Sequence, residues 1–251
     1  MVIKELKNLL AFLTIFPVTM DKDMLSDCAK NMWFFPLIGA FTGLLAGGFG
    51  WVVYHFLPAI VVGGLVLALL LLITGLHHTD GLLDFGDGVM AHGTPEHKIE
   101  VMHDQLTGAG GLSMGIITML ISALAFGQIK IGLIVGGVIV VEASAKLAMV
   151  VMAWAGKSVY QGMSFPFLEA MHGSNGNLRL VIAVLLSLAV ALPLLRWAGV
   201  LVIVAGIITS LVMVAIAHKH FNGITGDVFG ATNEITRMVC VIVLLAVAAW
   251  A

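Results

Sequence analysis

IGLIVGGVIVVEASAKLAMVVMAWA, residues Ile131–Ala155, is 25 residues long and carries only two charges, Glu142 and Lys146. A helix crosses the hydrocarbon core of a bilayer with about 20 mainly apolar residues, so this stretch reads as a membrane span. Outward from it lie five more apolar runs: Trp33–Phe56, Ala59–Leu76, Gly111–Gly127, Leu180–Leu195 and Val200–Ala217. A seventh is Ile235–Ala251. The composition agrees, since 60% of the 251 residues are hydrophobic and 10% charged, where a soluble domain has about 25% charged residues. That excludes a water-soluble surface and a disordered chain. A net charge of -2 and only two cysteines, Cys28 and Cys240, exclude a basic nucleic-acid binder and a disulfide scaffold. The expected fold is all-α: a polytopic membrane bundle of about seven transmembrane helices, one domain over residues 1–251.

The first stretch, MVIKELKNLLAFLTIFPVTM, has a short apolar core behind Lys4, Glu5 and Lys7 and is broken by Pro17. Asp21, Lys22 and Asp23 follow where a signal peptide would have a small-residue cleavage site. It reads as an interfacial or re-entrant amphipathic helix. The connections between spans alternate between long and short. The long ones, Met20–Met32, His77–Gly110, Gly156–Arg179 and His218–Glu234, share one face with nine Lys and Arg, against Lys130 and Arg196 on the other. The positive-inside rule makes the long-loop face cytoplasmic. Thirteen of the fourteen Asp and Glu are expected on it too.

The chemistry concentrates in HHTDGLLDFGDGVMAHGTPEHKIEVMHDQLTGAGG, residues 77–111. At 100° per residue, Asp80, Asp84 and Asp87 fall within about 60° of one another, on a single helical stripe. Stacked carboxylates beside an apolar span call for a positive partner. Mg²⁺ fits, because it is commonly held by one or two carboxylates with water and substrate phosphates. Zinc would prefer His and Cys, and no H-x-x-x-H or C-x-x-C spacing occurs; a solvated acidic turn is the plainer alternative. Gly81 and Gly88 would let a bulky ligand approach the backbone, and Gly108 would bring amides near a phosphate. Asp104 lies in the same connection. FNGITGDVFGATNEITR, from Phe221, adds Asp227, Asn233 and Glu234, with Thr225, Asp227 and Asn233 also suited to turns and caps. Glu142 and Lys146, four apart inside a span, read as a self-neutralising pair or a functional one.

These elements resemble the cobalamin synthase family of corrinoid biosynthesis. The similarity runs through FLTIFPV at Phe12–Val18, WFFPLIGAFTGLL from Trp33, DGLLDFGDGVM from Asp80, MHDQLTGAGG from Met102 and TGDVFGATNEIT from Thr225. The family commonly has basic residues where this chain has His103 and Leu106, and Arg where Lys146 stands. The resemblance implies a Mg²⁺-dependent transfer at the cytoplasmic membrane. A ribose hydroxyl of α-ribazole, or of its 5′-phosphate, attacks the cobinamide-linked phosphorus of adenosylcobinamide-GDP and GMP leaves. It implies Asp80, Asp84 and Asp87 as metal ligands. Asp104, Asp227 and Glu234 are the candidate bases; Gly81, Gly88, Gly108, Thr225, Asn233 and Lys146 are the candidate substrate contacts. The partners expected are these substrates and lipid, with a homo-oligomer compatible and no nucleic acid.

Two other functions use similar materials. A CDP-alcohol phosphotransferase has a helix-borne acidic motif, but its DG-x-x-AR opening is not matched by Asp80–Phe85. A divalent-metal transporter would place its ligands near the bilayer midplane, where only Glu142 and Lys146 fall.

Overall fold

The computed structural model describes residues 2–16 and 24–248. Pro17, Asp21, Lys22, Asp23 and the last three residues of the expected final span lie outside them. The elements are helices α1 (Val2–Leu13), α2 (Met24–Lys30), α3 (Phe35–Val53), α4 (Ala59–Ile73), α5 (His77–Met90), α6 (Pro95–Met102), α7 (Ala109–Gln128), α8 (Ile134–Ala155), α9 (Phe165–His172), α10 (Gly176–Phe221) and α11 (Gly226–Ala248). A short 3₁₀ turn, Met32–Phe34, leads into α3. Among the described residues there is no strand, only an isolated bridge between Ser158 and Ile224.

Among the described residues, five helices are long and apolar enough to cross a membrane, and six if α4 and α5, bent by 97°, count as one broken span. All seven expected runs lie largely within helices. Two of them share α10, which is 46 residues long. Its backbone breaks at Arg196, with φ 52° and ψ -133°. A Cβ on Gly199 would stand 2.6 Å from the Ala191 carbonyl oxygen, whereas eight residues of straight helix are about 12 Å long. The chain therefore doubles back, and α10 is a helical hairpin.

The span with only two charges, α8, is the centre of the bundle. It packs against α3, α10 and α11 and is buried on every side from Gly137 to Ala153, as a helix apolar all round requires. Helices in lipid gain little from apolar burial against one another, so close packing at small residues matters more. Gly39, Gly43 and Gly47 supply it, one turn apart along α3. A Cβ on Gly39 would lie 2.8 Å from the Glu142 carbonyl carbon, and on Gly43 2.7 Å from Ile139 Cα. We expect Gly43→Val to destabilise the protein by about 1–3 kcal/mol, because its obstacle is backbone rather than a movable side chain. A thermal melt in detergent unchanged from wild type would refute this contact.

α1 is 12 residues long, about 18 Å, which is too short to cross. Its Leu9 and Leu13 are buried in the core, and it packs on α2 and α3.

One boundary differs from expectation. The final helix begins at Gly226, nine residues before the expected Ile235, and only residues 222–225 connect it to α10. Glu234 reads as a polar end in sequence. In the fold it is paired inside the bundle, so the helix runs through it. Arg237, one of the nine cations expected on the long-loop face, is likewise inside and fully buried.

Candidate active site

The site begins where α4 ends. Thr74 turns its hydroxyl back onto the Leu70 carbonyl at 3.0 Å. Gly75 and Leu76 then adopt positive φ of 66° and 62°, a left-handed turn that redirects the chain into α5. With its three aspartates, α5 is read as lying outside the crossing helices. It is amphipathic: His78, Gly81, Leu82, Phe85, Gly86 and Gly88 are buried, Asp80 is exposed, and Asp84 and Asp87 are half-buried.

Two helices form walls on either side of this stripe. On one side Gly86 meets α7, where its Cβ would lie 2.9 Å from Gly111 Cα. On the other, Gly81 meets α11, where its Cβ would lie 2.9 Å from Asp227 Cα. The aspartates thus line the floor of a groove, with Asp227 on its wall. Thr225 opens that wall: its hydroxyl accepts the Val228 N–H at 3.4 Å and donates to Asp227 at 3.3 Å, an N-cap. Gly81 and Gly88 are buried under other helices, so they serve packing rather than ligand approach.

Asp87 is already occupied. Its two oxygens accept the Gly108 and Gly111 N–H groups at 2.7 and 2.8 Å, capping α7. Those are the amides that the sequence offered to a phosphate. Asp104 is exposed, and its carboxylate accepts the Leu106 N–H at 3.0 Å, as an Asx turn does. Burial, together with the charges of Asp227, Asp80 and Asp87, pushes the Asp84 carboxyl up to about 7. Among the described residues no Lys or Arg forms an ion pair with these four aspartates.

This donor set suits a hard cation: carboxylate oxygens, crowded and, among the described residues, without a Lys or Arg partner. It is not a closed cage. Among the described residues, no group of three or more His, Cys, Asp or Glu converges closely enough to hold a metal ion. An octahedral Mg²⁺ that keeps waters and takes substrate oxygens fits such a half-open set better than an ion needing an all-protein shell.

Lys146, Asn233 and Glu234 are elsewhere, deeper along α8 and α11. The Lys146 ammonium donates to Asn233 Oδ1 at 2.6 Å, and Asn233 Nδ2 donates to Glu234 Oε1 at 3.0 Å. Arg237 pairs with both Glu234 and Glu142. All five side chains are 0–1% exposed. Glu142 and Lys146 therefore take partners on α11 instead of each other.

Two residues at the mouth were not among the expected ones. His103 Nε2 lies 3.2 Å from the Tyr160 hydroxyl, and burial and the charge of Asp227 raise the Tyr160 phenol above its usual range. His103 stood out in sequence only as a departure from the family's basic residues. Tyr160 is one of two tyrosines in the chain and carried no local pattern.

Comparison with known proteins extends along the chain. The profile of the family described as cobalamin-5-phosphate synthase matches residues 5–245. The adenosylcobinamide-GDP ribazoletransferase of Methanosarcina barkeri is 31% identical, over 95% of this chain and 90% of its own length. Those of Methanocella arvoryzae and Thermococcus kodakarensis are each 33% identical, covering 96% and 95% of this chain and 95% and 97% of their own. No solved structure matches. With the acidic groove and the TGD element in place on one bundle, this chain belongs to the cobalamin-5-phosphate synthase family.

Proposed function

We propose that this chain joins α-ribazole, or α-ribazole 5′-phosphate, to adenosylcobinamide-GDP with release of GMP, at the cytoplasmic face of the cytoplasmic membrane. The observation that carries the reading is the groove of Asp80, Asp84, Asp87 and Asp227 in a chain of this family. Four carboxylates that, among the described residues, have no Lys or Arg paired with them suit a reaction in which the protein positions phosphates and balances charge. Asp80, Asp84 and Asp87 would hold Mg²⁺, Asp87 through lone pairs its amide partners leave free. Mg²⁺, when bound, neutralises the diphosphate and the departing GMP.

The chain's own groups supply the rest. The ribose hydroxyl forms a new P–O bond at the cobinamide-linked phosphorus. The bond from that phosphorus to the bridging oxygen breaks, and GMP keeps the electron pair. Of the three candidate bases, Asp227 is the one on the groove wall, so it takes the hydroxyl proton. Asp104 is turned into its own loop, and Glu234 is committed to Arg237.

Purified protein in detergent, given adenosylcobinamide-GDP, α-ribazole and Mg²⁺, should release one GMP per corrinoid product, and EDTA should stop it until Mg²⁺ is restored. Absence of GMP release with correctly folded protein would overturn the reading. CMP release from a CDP-alcohol would favour the phospholipid alternative, and EDTA-insensitive turnover would remove the metal from the proposal.

A further inference from the structure

One cationic element packs beside the C-terminal end of α5 and, among the described residues, serves no carboxylate. Lys98 on α6 donates to Nδ1 of His220, near the end of α10, at 3.0 Å. An accepting Nδ1 leaves the ring proton on Nε2, so the pair keeps the remaining ammonium hydrogens and a ring N–H as donors. Both residues are half-buried. Among the described residues neither forms an ion pair with an acid, and Glu100 of the same α6 lies against His97 at 3.4 Å instead.

Its position follows from the packing over Gly88, the residue after Asp87. A Cβ there would lie 2.9 Å from Met102 Sδ and 3.0 Å from Phe221 Cε1. Met102 is one turn beyond Lys98, and Phe221 is the neighbour of His220. The pair is thus next to the residues that pack on the C-terminal end of α5, one position beyond Asp87. A phosphate monoester arriving there meets repulsion from Asp80, Asp84 and Asp87 unless a local cation offsets it. The second substrate is the one whose two forms differ by such a monoester.

We propose that Lys98 and His220 form a phosphate-monoester subsite that recognises the 5′-phosphate of the incoming ribazole and so sets the preference between α-ribazole 5′-phosphate and α-ribazole. This rests on the transfer reaction proposed above. Charge-assisted hydrogen bonds of this kind correspond to roughly ten- to hundredfold in affinity.

The test compares kcat/KM for the two ribazole forms in wild type, Lys98→Met and Lys98→Arg, beside calorimetric binding of each form without corrinoid. The ratio favouring the phosphate form should fall about tenfold or more in Lys98→Met, through KM, and recover partly in Lys98→Arg. Binding of the phosphate form should weaken in parallel. An unchanged ratio overturns the subsite, whether both rates are retained or both fall together. Weaker product inhibition by GMP with the ratio unchanged would assign the pair to the guanylate arm and also overturn it. If wild type turns over neither form yet still binds the phosphate form through Lys98, the transfer reading fails and the subsite stands.

Discussion

Asp84→Asn is expected to lower the rate of ribazole transfer by about 10²–10³-fold, the range seen when one preorganised electrostatic group is removed from a transition state. Asp84 is the middle carboxylate of the stripe and the one that three others crowd, Asp227 most strongly. Asparagine keeps its shape and removes its charge. The folded bundle should tolerate this, because Asp84 caps no helix, whereas Asp87 holds α7. The loss should appear in kcat and in the Mg²⁺ concentration needed for half-maximal rate, with the thermal melt of metal-free protein unchanged or raised. A variant with near-wild-type kcat and unaltered Mg²⁺ demand would remove Asp84 from the site.

Arg237→Met is expected to destabilise the fold by roughly 3–5 kcal/mol, the cost of leaving buried charge without its partner. Arg237 holds both Glu142 and Glu234, all three fully buried, so one substitution takes the paired cation from two buried carboxylates. Folded yield in detergent should collapse. Adding Glu142→Gln and Glu234→Gln should restore much of it, since replacing a whole buried ionic group is often neutral or better. A triple variant no more stable than the single one would show that Arg237 acts through packing rather than charge.

What the sequence shows of this protein follows the range of each interaction. The aspartate stripe is written in a 3.6-residue period, so α5 and its three acids were legible. Apolar runs are equally local, and each finds its helix. The start of α11 was not legible: Glu234 breaks the hydropathy, and its partner Arg237 also binds Glu142, 95 residues away in sequence. The same distance hides the partners of Lys146 and the joining of Asp227 to the stripe. Gly39, Gly43 and Gly47 are visible as a spacing, but nothing local says that α8 lies against them. Tyr160 sits in an irregular loop whose course is fixed by its bridge to Ile224, and no periodicity reports that.

The buried charges also bear on how the chain is made. At about 5–20 residues per second, Arg237 follows Glu142 out of the ribosome by roughly 5–20 seconds. During that interval Glu142 and Lys146 lack the partners that α11 carries. Their four-residue spacing places them one turn apart on the same side of α8, a provisional pair that shields each from lipid. In the finished bundle α11 gives each a partner of its own, Arg237 for Glu142 and Asn233 for Lys146. The pair that the sequence suggests is thus one that the chain can make only before residue 237 is present, and the mature network has Arg237 and Asn233 in its stead.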